Sequence, residues 1–120
     1  MKTLIALTLF TTLTGAVSAA QMPVLSCFGT EPFWGVKTKA DATVDYDAYN
    51  GVKTFSNAVV SEAVGRVEGY AFSIEASDSA QKKIRMNVIK NECNDGMSDA
   101  TYAYTAMVEV DGGFFEGCCN

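Results

Sequence analysis

Four cysteines, one tryptophan and a scatter of carboxylates make up most of the chain's chemical resources, and histidine is absent from all 120 residues. Without histidine there is no Ser-His or Cys-His nucleophile pair and no His-containing zinc site. Cys27, Cys93, Cys118 and Cys119 lack C-x-x-C spacing, which leaves a redox or thiolate-metal site without its usual frame. Oxygen chemistry remains, and two stretches carry it. In Cys27-Phe28-Gly29-Thr30-Glu31-Pro32-Phe33-Trp34 a carboxylate precedes a proline and two large aromatics. The proline biases Glu31 toward extended backbone, and an apolar wall beside it would raise its pKa, suiting an acid or a recognition group. The plainer alternative is the start of a strand, with Trp34 plugging one end of a barrel. In Cys93-Asn94-Asp95-Gly96-Met97-Ser98-Asp99 three side chains, Asp95, Ser98 and Asp99, offer oxygen ligands of the kind calcium takes. Their spacing is not that of an EF-hand, and Asp and Asn equally stabilise turns by bonding their own backbone. Glu31, Phe33, Trp34, Asp95, Ser98 and Asp99 are thus the candidate binding residues. Glu31 with Asp95 or Asp99 would form an acid pair if they stood ~5–9 Å apart, as in glycoside hydrolysis. A domain of this size with no second lobe is a poor enzyme, so the expectation is no catalysis, no metal and no cofactor.

The first twenty residues read as an address. Lys2 supplies a positive start, Leu4 to Phe10 an apolar core, and Val17-Ser18-Ala19-Ala20 a small-residue cleavage site. The apolar run is short and broken by Thr11, Thr12 and Thr14, against ~20 residues needed to span a bilayer. The expected organisation is a signal peptide at 1–20, cleaved after Ala19 or Ala20, and a single β domain at 21–120 that is periplasmic or secreted. Val24-Leu25-Ser26-Cys27 loosely resembles a lipobox, which makes a lipid anchor on Cys27 the secondary expectation. Nine Lys plus Arg against 14 Asp plus Glu give a net charge of -5, and loss of Lys2 makes it -6. That balance argues against nucleic acid, which demands a basic patch, and favours a basic partner.

Export changes what the cysteines are for. In an oxidising compartment four thiols form two disulfides, and three pairings are open. Adjacent Cys118 and Cys119 would point to opposite faces of a strand, so the expectation is that Cys27 and Cys93 each bond one of them. A strained bond between the two neighbours is the alternative. A loop closed over most of the domain contributes about 4–5 kcal/mol in the chain-entropy account.

The elements that must position these residues are strands. Trp34, Val36, Thr38, Ala40, Ala42, Val44 and Tyr46 interleave with Gly35, Lys37, Lys39, Asp41, Thr43, Asp45 and Asp47, which predicts two strands broken near Ala40-Asp41. The same period of two runs through Tyr70–Glu75, Lys83–Val88 and Thr101–Val110. Asn50-Gly51, Asn94-Asp95-Gly96 and Asp111-Gly112-Gly113 punctuate the runs, the last opening a C-terminal hairpin. Gly51 to Val60 alternates poorly, and Ser61 to Gly65 fits a single helical turn. The expected fold is all-β: a small antiparallel barrel or sandwich of about six to eight strands, stapled by disulfides.

Three fragments in order, C-F-G-T-E-P-F-W-G, C-N-D-G-M-S-D-x-x-Y-x-Y and a terminal G-C-C, resemble a family of small bacterial envelope proteins. Its members are labelled uncharacterised membrane proteins or lipoproteins, and similar domains occur beside META domains. The resemblance spans Cys27 to Cys119 and implies location and architecture, with no catalytic residues to carry over. Where the family commonly reads Y-P-Y this chain has Tyr102-Ala103-Tyr104, which removes a rigid turn or bulge.

Three classes of function follow. The expected one is an exported, non-catalytic binding module for a basic protein or a small envelope molecule. A structural or stress-linked envelope domain with no dedicated ligand is the alternative. Lysozyme inhibitors, small disulfide-bonded barrels that face basic enzymes, are an analogy of size, charge and compartment, and a small hydrolase is the remaining class.

Overall fold

Strands form where one side of the chain is apolar and the other polar, and a sheet built from such strands buries its apolar side by curling on itself. The computed structural model describes residues 22–120, so the signal peptide and cleavage site expected from the sequence lie outside the described residues. Eight strands follow one another: β1 (Ser26–Thr30), β2 (Phe33–Thr38), β3 (Val44–Ala48), β4 (Gly51–Glu62), β5 (Ala71–Ser77), β6 (Lys83–Asn94), β7 (Thr101–Val110) and β8 (Gly113–Cys119). Each pairs antiparallel with the next, and β8 returns to β1, giving a closed barrel rather than a sandwich.

Inward positions are filled by side chains, as eight strands leave room for little else. Val36, Val44, Phe55, Ile74, Ile84, Met86 and Val108 are fully buried. Met22 and Leu25 close one end of the core, held by Thr38, the buried polar residue of the described chain. The Leu25 N–H donates to Thr38 Oγ1 at 2.7 Å, and that hydroxyl donates to the Pro23 carbonyl at 2.5 Å. Across the opposite end Lys53 of β4 reaches Asp111 of the β7–β8 turn at 2.9 Å. Burial, with Asp111 nearby, raises the pKa of the Tyr46 phenol at this end.

Two irregularities explain where alternation failed as a guide. In β4 the register shifts between Ser56 and Val59, where Asn57 has a φ of 56°. The bulge moves the inward set from Phe55 to Ala58 and Val60, so no single period runs through the strand. The helical turn expected at Ser61–Gly65 does not form: Ser61 and Glu62 complete β4, because they pair with Ser73 and Phe72. A second shift, between Lys90 and Cys93, lets β6 continue to Asn94, beyond the expected end at Val88.

Cys27 bonds Cys119, and Cys93 bonds Cys118. Cys27 and Cys119 are direct partners across the β1–β8 seam and belong to the core. Cys118 faces the other way and holds the outer end of the β6–β7 hairpin. That hairpin lies over the same seam, with Phe28 and Tyr102 edge to face at 4.8 Å. The lipid anchor considered for Cys27 finds no free sulfur, and processing before Cys27 would remove Met22 and Leu25 from the core.

Candidate functional site

At the closing turns of the barrel the chain exposes aromatic side chains. β1 and β2 are joined by Glu31 and Pro32 through a cis peptide bond, with Thr30 paired to Phe33. Strand parity then sends Phe33 and Trp34 to opposite faces. Trp34 turns inward, and its indole lies over Gly29 of β1 and Gly117 of β8. A methyl group at either glycine would collide with that ring, which explains why both positions lack a side chain. Phe115 packs against the indole with centroids 6.2 Å apart.

Phe33 turns outward and is 73% exposed. On the neighbouring strand Asp47 stands directly opposite Gly35, and the two-residue turn beyond it carries Tyr49, fully exposed. Pro32, Phe33, Trp34, Gly35, Asp47, Ala48 and Tyr49 line a notch of about 680 Å³ on the outer rim. Gly35 forms its floor. A Cβ there would meet only the Asp47 Cβ and the Cys27 carbonyl, both at 3.8 Å.

The carboxylates differ in what they already hold. Asp45, one position pair down the ladder, bonds Lys39 at 2.6 Å and the Thr54 hydroxyl at 2.8 Å, and both hold its carboxyl below the usual range. Asp47 and Glu31 have no ion pair among the described residues; Lys37, nearest on the face of β2, forms none with Asp47. Two exposed aromatic rings with unengaged carboxylates beside them can hold a cation by ring-face attraction and by charge-assisted hydrogen bonds.

Of the residues expected from sequence, Phe33 and Trp34 line the notch, and Glu31 stands exposed in the adjoining turn, outside any apolar pocket. Asp95, Ser98 and Asp99 lie elsewhere, in the tip of the β6–β7 hairpin. There the Asp95 carboxylate accepts the Met97 and Ser98 N–H groups at 2.8 and 3.1 Å, and the Ser98 hydroxyl accepts Ala100 N–H at 3.2 Å. These oxygens serve the turn. A hydrogen bond ties the tip to the first stretch, the Thr30 hydroxyl donating to the Asp95 carbonyl at 3.5 Å. Gly35, Asp47 and Tyr49 were missed, although the alternation that puts Asp45 and Asp47 on the outer face extends to Tyr49. A second groove, about 490 Å³ on the outside of β4 to β7, is lined by small and apolar residues such as Ala71, Ser73 and Met107. Its one carboxylate, Glu62, already accepts the Gly69 N–H.

Comparison of the chain with protein-family models, with curated proteins and with solved structures finds no match.

Proposed function

We propose that this chain is an exported, non-catalytic binding module that meets a basic partner protein through the rim between Phe33 and Tyr49. The observation that carries the reading is the notch itself, where exposed aromatic rings flank an unpaired carboxylate and a glycine floor. A net charge of -5 favours encounter with a basic surface and speeds it at low salt. Two disulfides are compatible with an extracellular or periplasmic compartment, and the resemblance to envelope proteins supports the same reading. The filled barrel interior favours recognition at the rim over a ligand held inside.

Trp34 is the single tryptophan, and although its indole is buried, the strand that carries it borders the notch, so its emission senses a ligand there through that strand. Titration with poly-L-lysine is expected to change that emission saturably, and a Phe33→Ser/Tyr49→Ser double variant to abolish the change. Emission that ignores the polycation, or responds equally in the double variant, would count against the rim.

A further inference from the structure

Gly35 is a glycine without a structural excuse. Gly29 and Gly117 are bare because the Trp34 indole lies on them, and Gly51, Gly65, Gly69, Gly96 and Gly112 have positive φ. Gly35 has neither reason: its φ is ordinary and a Cβ would find only 3.8 Å contacts. Glycine inside a strand weakens it and often marks a site where another group approaches closely. What its bareness creates here is the floor of the notch, directly across from Asp47.

We infer that this floor, with Asp47 and the rings of Phe33 and Tyr49, forms a receptor for an arginine side chain of an incoming peptide segment. The inference rests on the basic-partner reading and adds which residue of the partner is read. A guanidinium is flat, stacks on aromatic faces and presents a fork of donors to one carboxylate. An ammonium is a compact, strongly hydrated charge that uses neither the plane nor the fork. Asp47 is free to accept, having no ion pair among the described residues, and Glu31 in the adjoining turn adds to the negative field. The volume, about 680 Å³, accommodates the side chain together with a short stretch of its backbone. Gly35 is then a specificity-determining position, since any side chain there would stand where the guanidinium lies.

The test is an NMR titration of the oxidised protein with three glycine-serine peptides that differ only in a central arginine, lysine or citrulline. Citrulline keeps the shape and removes the charge. The arginine peptide is expected to shift the amides of residues 33–35 and 47–49, with the other two at least ~10-fold weaker, as loss of a charge-assisted fork implies. Gly35→Val is expected to keep the remaining spectrum and lose the response. Asp47→Asn should weaken binding by roughly tenfold with the fold unchanged. Equal binding of citrulline, an undiminished response in Gly35→Val, or shifts that map elsewhere would overturn the inference. So would an N-acetylglucosamine oligomer that shifts the same amides while the arginine peptide does not, which would make the notch a sugar site. Polycation binding that depends on Phe33 and Tyr49 without preferring arginine defeats this inference alone. Polycation binding indifferent to them defeats the broader reading.

Discussion

Three glycines on neighbouring strands do two separable jobs, and substitution distinguishes them. A methyl group at Gly29 strikes the Trp34 indole, and one at Gly117 strikes both that ring and the Phe28 carbonyl. Gly29→Ala and Gly117→Ala are therefore expected to lose about 1–3 kcal/mol of stability by overpacking, read from urea unfolding midpoints. Gly35→Ala should be neutral or gain up to ~1 kcal/mol, because it lowers chain entropy and clashes with nothing. A large loss at Gly35 would mean that the strand itself needs the glycine, and the binding argument would lose its basis. Thr38 offers a second residue-scale check. Thr38→Val keeps the shape but leaves the buried Leu25 N–H without its acceptor, at a cost of about 1–3 kcal/mol. Wild-type stability in that variant would show that water or a shifted chain satisfies the group.

At the scale of elements, the two disulfides close loops of unequal length. Cys27–Cys119 spans 92 residues and Cys93–Cys118 spans 25. The chain-entropy account gives about 4–5 kcal/mol for the first and about 3–4 kcal/mol for the second. The paired serine variant Cys27→Ser/Cys119→Ser is expected to be the less stable, because it also opens the seam that closes the barrel. The opposite order would show that the β6–β7 hairpin, rather than the seam, is the weaker attachment. The pairing rule was legible because Cys118 and Cys119 are adjacent on a strand, which forces one inward and one outward. Which partner took which sulfur was not, since it depends on how β8 meets β1. Strands β2, β3 and β7 were readable because one unbroken alternation divides their faces. β4 and the end of β6 were not, because bulges at Asn57 and beyond Lys90 exchange those faces within the strand. The same limit governed the site. Opposite facing of Phe33 and Trp34 follows from parity alone, whereas the pairing of Gly35 with Asp47 needs the β2–β3 register.

For the molecule as a whole, the negative charge is unevenly engaged. Lys39 and Thr54 hold the Asp45 carboxyl below the usual range, Lys83 and Arg85 do so for Glu75, and the Thr43 hydroxyl for Asp41. A depressed folded pKa means that the unfolded chain binds protons first on acidification. The stabilisation these groups supply is thus present above about pH 4.5 and lost as pH falls through their folded values. Asp41 is exposed and Asp45 and Glu75 are half-buried on the outer face of the barrel, where solvent screens them, so each effect is small. The urea midpoint should hold from about pH 5 to 7 in this respect and fall below about pH 4, less steeply in Asp45→Asn/Glu75→Gln. An identical acid limb in that variant would assign the loss to other carboxylates. Glu31 and Asp47 stand apart from these pairs, and the account turns on their position rather than on total charge. The most direct measurement is the association rate with poly-L-arginine across an ionic-strength series for two charge-matched variants. Glu31→Gln/Asp47→Asn alters the rim, while Glu68→Gln/Glu92→Gln removes the same two charges from exposed sites elsewhere. Rates that fall with salt in the wild type and the Glu68/Glu92 variant, but are slow and nearly salt-independent in the rim variant, are the result predicted here. Equal rates in the two variants would contradict it, leaving only a diffuse acidic surface.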